Sequence, residues 1–234
     1  MSTINVDQIR SQSFIGAPVD VNGIPVTYSA TTDIIGIGEG TLQSCSGSDN
    51  VAIGKNALVA LTTGDDNTAL GVGALQLTTG NNNVGLGRNA GSTNTTGTNN
   101  VFIGNGCSGS SATVTNEITL GNSAITTLRC QATSITSLSD ARDKTNIEES
   151  TYGLDLVNSL KPVKFEWDTR DGAKKGIKDL GFIAQDLKEL DDEHLNLVYD
   201  ENPDKLEATY GRLIPVLVKA IQELSEEVKQ LKSK

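Results

Sequence analysis

Val51-Ala52-Ile53-Gly54, Thr68-Ala69-Leu70-Gly71 and Val84-Gly85-Leu86-Gly87 are three versions of one short phrase, closed each time by glycine. The phrase also occurs upstream as Ile35-Gly36-Ile37-Gly38. Downstream it continues as Val101-Phe102-Ile103-Gly104 and Ile118-Thr119-Leu120-Gly121. The closing glycines are spaced by 16, 17, 16, 17 and 17 residues. A second half-unit often follows, as in Ala57-Leu58, Ala74-Leu75 and Ala90. Turn formers then close the unit: Thr63-Gly64-Asp65-Asp66-Asn67, Thr79-Gly80-Asn81-Asn82-Asn83 and Thr96-Gly97-Thr98-Asn99-Asn100. The alternation has period two, so each phrase reads as a short strand. Glycine after the strand suits positive φ or close approach to a neighbouring coil, and Asn or Asp beside Gly suits a tight turn. Units this small cannot bury an apolar face alone and must stack on neighbours or on other chains. Strands of Val, Ile, Leu and Ala predict a narrow, closely packed interior. The expected fold over residues 33–128 is a β-roll or β-helical shaft.

Outward from the repeat, composition divides the chain near residue 139. Four basic and eight acidic residues before that point leave a charge of −4, and residues 139–234 hold the remaining −6 of the total −10. The first part contains only three aromatic residues, Phe14, Tyr28 and Phe102, so it lacks the large aromatic payload of an ordinary globular core. The acidic balance argues against a nucleic-acid partner, which needs concentrated Lys and Arg. No run of 18 apolar residues occurs, so no membrane insertion is expected. Residues 1–7 lack a basic region followed by an apolar run, and no secretory signal is expected. Cys45, Cys107 and Cys130 match neither a disulfide framework nor a zinc spacing. They read as buried thiols of a protein made in a reducing host cytoplasm. No cofactor and no metal is expected. Residues 1–32 have no repeat and carry the turn signals Gly16-Ala17-Pro18 and Asn22-Gly23. By position this is a candidate virion-attachment segment.

The C-terminal part opens with Ser139-Asp140-Ala141-Arg142-Asp143-Lys144 and continues through Lys161-Pro162-Val163-Lys164-Phe165-Glu166-Trp167 to Gly181-Phe182-Ile183-Ala184-Gln185. Val163–Trp167 and Gly181–Ala184 predict a hairpin, with the basic run Lys174-Lys175-Gly176-Ile177-Lys178 in its loop. At the end, Tyr210, Ile214, Leu217, Ile221, Leu224, Val228 and Leu231 step alternately by 4 and 3 residues. That is a heptad seam flanked by Glu223, Glu226, Glu227, Lys229 and Lys232. Leu213, Val216 and Val218 widen the apolar face, so the start of this helix is expected to pack on more than a partner helix.

The repeat looks like the head repeats of trimeric autotransporter adhesins and the shafts of phage tail fibres. Over residues 139–234, three motifs in this order resemble the S74 peptidase family, the self-cleaving intramolecular chaperone domain of endosialidase-type tail spikes. The three are Ser-Asp-x-Arg-x-Lys, Lys-Pro-Val-x-Phe-x-Trp and Gly-Phe-Ile-Ala-Gln. The resemblance implies a homotrimer, an α+β chaperone domain ending in a trimeric coiled coil, and a linker at 129–138 leading to the cleavage site. It also implies one self-cleavage at Leu138–Ser139 by a Ser-Lys dyad, with Ser139 as nucleophile and Lys144 as general base. Asp140 and Arg142 are supports, and Gln185 sits near the cleavage site by family analogy. Read without the resemblance, Ser139 and Asp140 form a helix N-terminus. His194, in an acidic stretch, is expected on the surface, so no histidine triad is available.

The implied protein is a tail-fibre component of a virion, partnered by other tail or baseplate proteins and by a host receptor or glycan. Two alternatives stand beside it. One is a fibre whose C-terminal domain never cleaves and remains a permanent trimeriser. The other is an adhesin or glycan-active tail spike, which needs a suitable pair among Asp33, Glu39, Asp49, Asp65, Asp66 and Glu117.

Overall fold

A computed structural model describes residues 19–21, 23–29, 32–131 and 135–234. Most of the candidate attachment segment 1–32, and part of the 129–138 linker, lie outside the described residues. The chain divides into two compact units, Met1–Ile125 and Thr126–Lys234.

The first unit opens with an antiparallel pair, β1 (Val19–Val21) and β2 (Ile24–Ser29). β2 pairs antiparallel with β3 (Ile34–Ile37). From β3 onward all pairing is parallel and in register. β4 (Val51–Ile53), β5 (Thr68–Leu70), β6 (Val84–Leu86), β7 (Val101–Ile103) and β8 (Ile118–Leu120) follow one per coil. Each recurrence of the phrase thus lands directly beside the last, giving a β-solenoid. The coils are also stitched away from the sheet, for example Leu75 N–H to Ala90 O at 2.9 Å and Thr79 N–H to Thr95 O at 2.7 Å. The closing glycine does both things its position suggested. Gly71 has φ +141°, and a Cβ on it would stand 2.4 Å from the Gly87 carbonyl oxygen of the next coil.

The interior is narrow, but not because the large aliphatics fill it. Only the middle residue of each strand points inward: Gly36, Ala52, Ala69, Gly85, Phe102 and Thr119. The flanking Val, Ile and Leu point outward. The core is completed from the second half-units by Leu42, Ala57, Leu58, Leu61, Ala74, Leu75, Ala90 and Cys107. Where the third coil carries Gly91 in the place of Leu58 and Leu75, Phe102 of the next coil fills the gap.

One wall of this core is polar. Asn50, Asn67, Asn83 and Asn100 are fully buried and stack one per coil. The Nδ2 of each donates to the Oδ1 of the one before, at 3.1, 3.2 and 3.1 Å. The same Oδ1 accepts the backbone N–H of the next rung, at 2.9, 3.0 and 3.1 Å. Asparagine suits the ladder because its amide donates and accepts along one axis. Glu117 takes the following rung. Its N–H donates to Asn100 Oδ1 at 3.0 Å, while its carboxylate accepts Ser110 N–H at 3.0 Å and the Thr119 hydroxyl at 2.7 Å. An ionised carboxylate has no donor, so the side-chain ladder ends there.

The second unit is α+β. It contains α1 (Leu154–Ser159), the hairpin β9 (Val163–Asp168) and β10 (Lys175–Gly181), α2 (Ala184–Lys188), the short pair β11 (Val198–Tyr199) and β12 (Glu207–Ala208), and α3 (Leu213–Lys232). The second strand of the hairpin starts earlier than expected. Lys175 to Lys178 lie in β10, because Ile177 pairs with Trp167 and Lys178 with Glu166 across the sheet. The core is Leu187, Leu195, Leu197, Val198, Leu213 and Val216, covered by Tyr152, Leu156, Phe182 and neighbours. α1 has no cap of its own, and Glu223 on α3 supplies one, accepting Leu154 N–H at 2.7 Å. Gly153 allows this approach, since a Cβ there would lie 2.2 Å from the Glu223 carboxylate.

α3 carries two apolar stripes. Leu213, Val216 and Ala220 face the core of their own unit. Ile214, Leu217, Ile221, Leu224, Val228 and Leu231 are exposed. Of the residues expected to widen the first turns, Leu213 and Val216 pack inward, whereas Val218 is exposed. Tyr210, the first residue of the seam, lies before α3 in a 3-10 turn and serves the unit's own packing. Its hydroxyl accepts Phe182 N–H at 3.3 Å and occupies the space beside Gly181 where a Cβ would be 2.6 Å away.

Candidate functional site

The sequence Ser139 to Lys144 folds into one tight turn. Ala141–Asp143 is a 3-10 helix, closed by Lys144 N–H to Ala141 O at 3.2 Å. Its N-cap is Asp140, not Ser139: Asp140 Oδ1 accepts Arg142 N–H at 2.9 Å. This frees the Ser139 hydroxyl, and the turn folds Lys144 back towards it. Lys144 Nζ lies 2.7 Å from Ser139 Oγ and 3.3 Å from the Ser139 carbonyl oxygen. The structure therefore brings together the two residues named as nucleophile and base, which a spacing of five alone does not ensure.

Arg142 reinforces the cap from the side. Its Nε and a terminal nitrogen donate to the two oxygens of Asp140 at 3.0 and 2.6 Å, a bidentate clamp. That guanidinium, followed by the Arg142 backbone N–H, holds the Asp140 carboxyl below its ordinary range, and Asp140 raises Arg142 in turn. Both side chains are solvent-facing, so the pair contributes little to stability. Its contribution is geometric, holding the turn that aims Lys144. Ser139 and Lys144 are themselves exposed, as is the Leu138 side chain.

Gln185 lies on α2 with an exposed side chain, and no hydrogen bond joins it to Ser139 or Lys144. His194 is 73 % exposed beside Glu193. Among the described residues no cluster of three or more His, Cys, Asp or Glu could hold a metal ion. Cys107 is buried and Cys45 half-buried, and burial pushes both thiols up. Cys130 departs from expectation and is exposed. Several acidic residues of the solenoid have local structural partners or turn positions. Asp33, Asp49 and Asp66 occupy left-handed turn positions, Glu39 pairs with Lys55 at 2.7 Å, and Asp65 accepts Ser48 N–H at 2.7 Å. No described helix is long and apolar enough to cross a membrane.

The other two motifs meet in the hairpin. Val163 pairs with Gly181, joining the strand that carries Phe165 and Trp167 to the one that leads into Phe182. Phe165 and Trp167 make an edge-to-face pair at 5.1 Å, Lys174 sits 5.2 Å from the Trp167 ring centre, and Trp167 Nε1 donates to Asp179 at 3.1 Å. Residues 139–196, which span the turn, the hairpin and α2, match the family Peptidase_S74, chaperone of endosialidase. The C-terminal unit carries an S74 domain. The chain is also similar to the Long tail fiber protein Gp37 of Enterobacteria phage M1 and to that of Enterobacteria phage Ox2. Each is 36 % identical over 97 residues, covering 41 % of this chain and 39 % of the relative. This chain thus matches well under half the length of those fibre proteins. No solved structure matches it. The S74 assignment gives the Ser139–Lys144 contact a chemical context that an isolated exposed Ser–Lys pair lacks.

Proposed function

We propose that this protein is a phage tail-fibre component, a homotrimeric β-solenoid shaft whose S74 domain assists its assembly and then cuts itself free at Leu138–Ser139. The observation that carries the cleavage reading is the 2.7 Å contact between Lys144 Nζ and Ser139 Oγ inside an S74 match. Lysine is protonated at neutral pH in water, with an ordinary pKa near 10.4. As an ammonium it donates to Oγ, and only as a neutral amine does it accept the hydroxyl proton at the same distance. Burial of the turn on assembly disfavours the ammonium and makes that reversal easier.

In the first step Ser139 Oγ attacks the Leu138 carbonyl carbon while its proton passes to Lys144 Nζ. The C–N bond to Ser139 breaks, the proton is returned to the departing amine, and an ester links Leu138 to Oγ. Water then attacks the ester, giving its proton to Lys144 and restoring the serine hydroxyl. Asp140 and Arg142 act as positioning residues for the turn. A chaperone role has a physical basis, since pairing three chains through non-local β contacts is slow and open to mispairing. A unit that associates first through α3 raises the local concentration of the three shafts, and its removal leaves the product kinetically trapped.

Intact-mass measurement tests the reading. The chain should separate into pieces of 138 and 96 residues, the second beginning at Ser139. Ser139→Ala and Lys144→Ala should each remain whole and trimeric, and His194→Ala should cut normally. Undiminished cutting of Lys144→Ala at the same bond would remove the dyad from the mechanism.

A further inference from the structure

Twelve side chains project from the outer face of the solenoid sheet in two columns. One is Ile35, Val51, Thr68, Val84, Val101 and Ile118; the other is Ile37, Ile53, Leu70, Leu86, Ile103 and Leu120. Eleven are aliphatic, none is charged, and all but Ile37, Val51 and Val101 are exposed. The charged residues of the same coils, Glu39, Lys55, Asp65, Asp66 and Arg88, lie outside the strands. We propose that this sheet face is the shaft's self-association surface, packed against the same face of two further copies of this chain around a common axis. The proposal rests on the homotrimer reading and adds where the shafts touch.

Three observations select a second copy as the occupant. The columns run unbroken through all six parallel strands, so a partner must present an apolar array of equal length and pitch. The chain's own sheet has that pitch by construction of the repeat. The exposed seam of α3 supplies a second uncharged stripe whose heptad spacing fits parallel association of like helices. The areas also agree. At roughly 100 Å² of apolar area per aliphatic side chain, columns left about half exposed present on the order of 500 Å², towards the upper end for any patch on an ordinary monomer. The six exposed seam residues of α3 add roughly 300 Å² on the same scale. The total of about 800 Å² is what one partner contributes to a specific, stable interface.

The test uses the full chain with Ser139→Ala, which keeps both units joined, and Cys130→Ser, which removes the exposed thiol. Val84→Cys and Leu86→Cys are introduced separately, one in each column, with Asn81→Cys on the turn side as control. After treatment with a short bismaleimide, at least one column variant should run as covalent dimers and trimers on a denaturing gel. The parent and the Asn81→Cys control should run as single chains. Trimers by light scattering without crosslinking at either column would overturn the interface while leaving the homotrimer reading intact. A monomer by light scattering would overturn both.

Discussion

Replacing Asn83 by alanine tests what holds the coils in register. Its fully buried side chain makes four hydrogen bonds: Nδ2 to Asn67 Oδ1 at 3.2 Å and to Gly97 O at 2.9 Å, and Oδ1 from the N–H and the Nδ2 of Asn100, both at 3.1 Å. The loss is uneven. Asn67 Oδ1 still accepts the Asn83 backbone N–H, Gly97 O still accepts from Asn94, and Asn100 Nδ2 still donates to Val114 O. The Asn100 backbone N–H has no such reserve and is stranded in the interior. A stranded buried donor costs about 1–3 kcal/mol, and each remaining bond about 0.5–1.5 kcal/mol net, so the substitution should cost roughly 3–6 kcal/mol per chain. For a unit of this size that moves the guanidinium midpoint down by on the order of 1 M. Thr79→Ala, which removes one exposed bond to Thr95 O, should move it by less than a quarter of that. The assay is guanidinium unfolding of the Ser139→Ala chain followed by the β-sheet circular dichroism band. Asn83→Asp sharpens the result, because a carboxylate cannot donate to Asn67 or Gly97. Its protonated form can, so that variant should regain stability as pH falls. If Asn83→Ala and Thr79→Ala unfold together, the asparagine ladder is not what fixes the register.

Glu223→Ala should lower the stability of the S74-containing unit by about 1–2 kcal/mol, read as a lower melting temperature, because the Leu154 N–H loses its charged cap. Gly71→Ala should prevent soluble assembly of the solenoid, since the added Cβ meets the Gly87 carbonyl, while Gly23→Ala, with nothing within 4 Å, costs only its backbone preference. Expression followed by gel filtration distinguishes the two. On acidification, the S74-containing unit should lose stability below about pH 4. Arg142 holds Asp140 below its ordinary value, the Trp167 indole Asp179, the Tyr152 hydroxyl Asp192 and Lys188 Asp200. Groups depressed in the folded state stabilise it fully above their unfolded pKa and lose that contribution as pH falls through the folded one. A melting temperature unchanged between pH 5 and about pH 3 would contradict this.

Much of the site was legible because it is local. Ser139, Asp140, Arg142 and Lys144 fall within six residues, and a capped turn of that length is decided mainly by its own side chains. What the pattern did not reveal was which residue caps: both Ser and Asp are good N-caps, and only the turn's geometry gives the role to Asp140 and leaves the serine hydroxyl free for Lys144. Glu223 and Gly153 were missed for the opposite reason. They lie 70 residues apart, and nothing in either neighbourhood marks a cap supplied from another helix.

The same division runs through the solenoid. Six glycines at intervals of 16 and 17 residues determined by themselves that the chain coils, that each coil holds one strand, and where each strand ends, because backbone conformation at a glycine is a local property. Which side of the strand faces inward was not determined. Period two divides Val51-Ala52-Ile53 into one residue on one face and two on the other, and hydrophobicity assigns the larger pair to the interior. Tertiary structure reversed that assignment. Coils of this length enclose room for the alanine, the second-half leucines and a column of asparagines, and no more, so the larger aliphatics of every strand are turned outward.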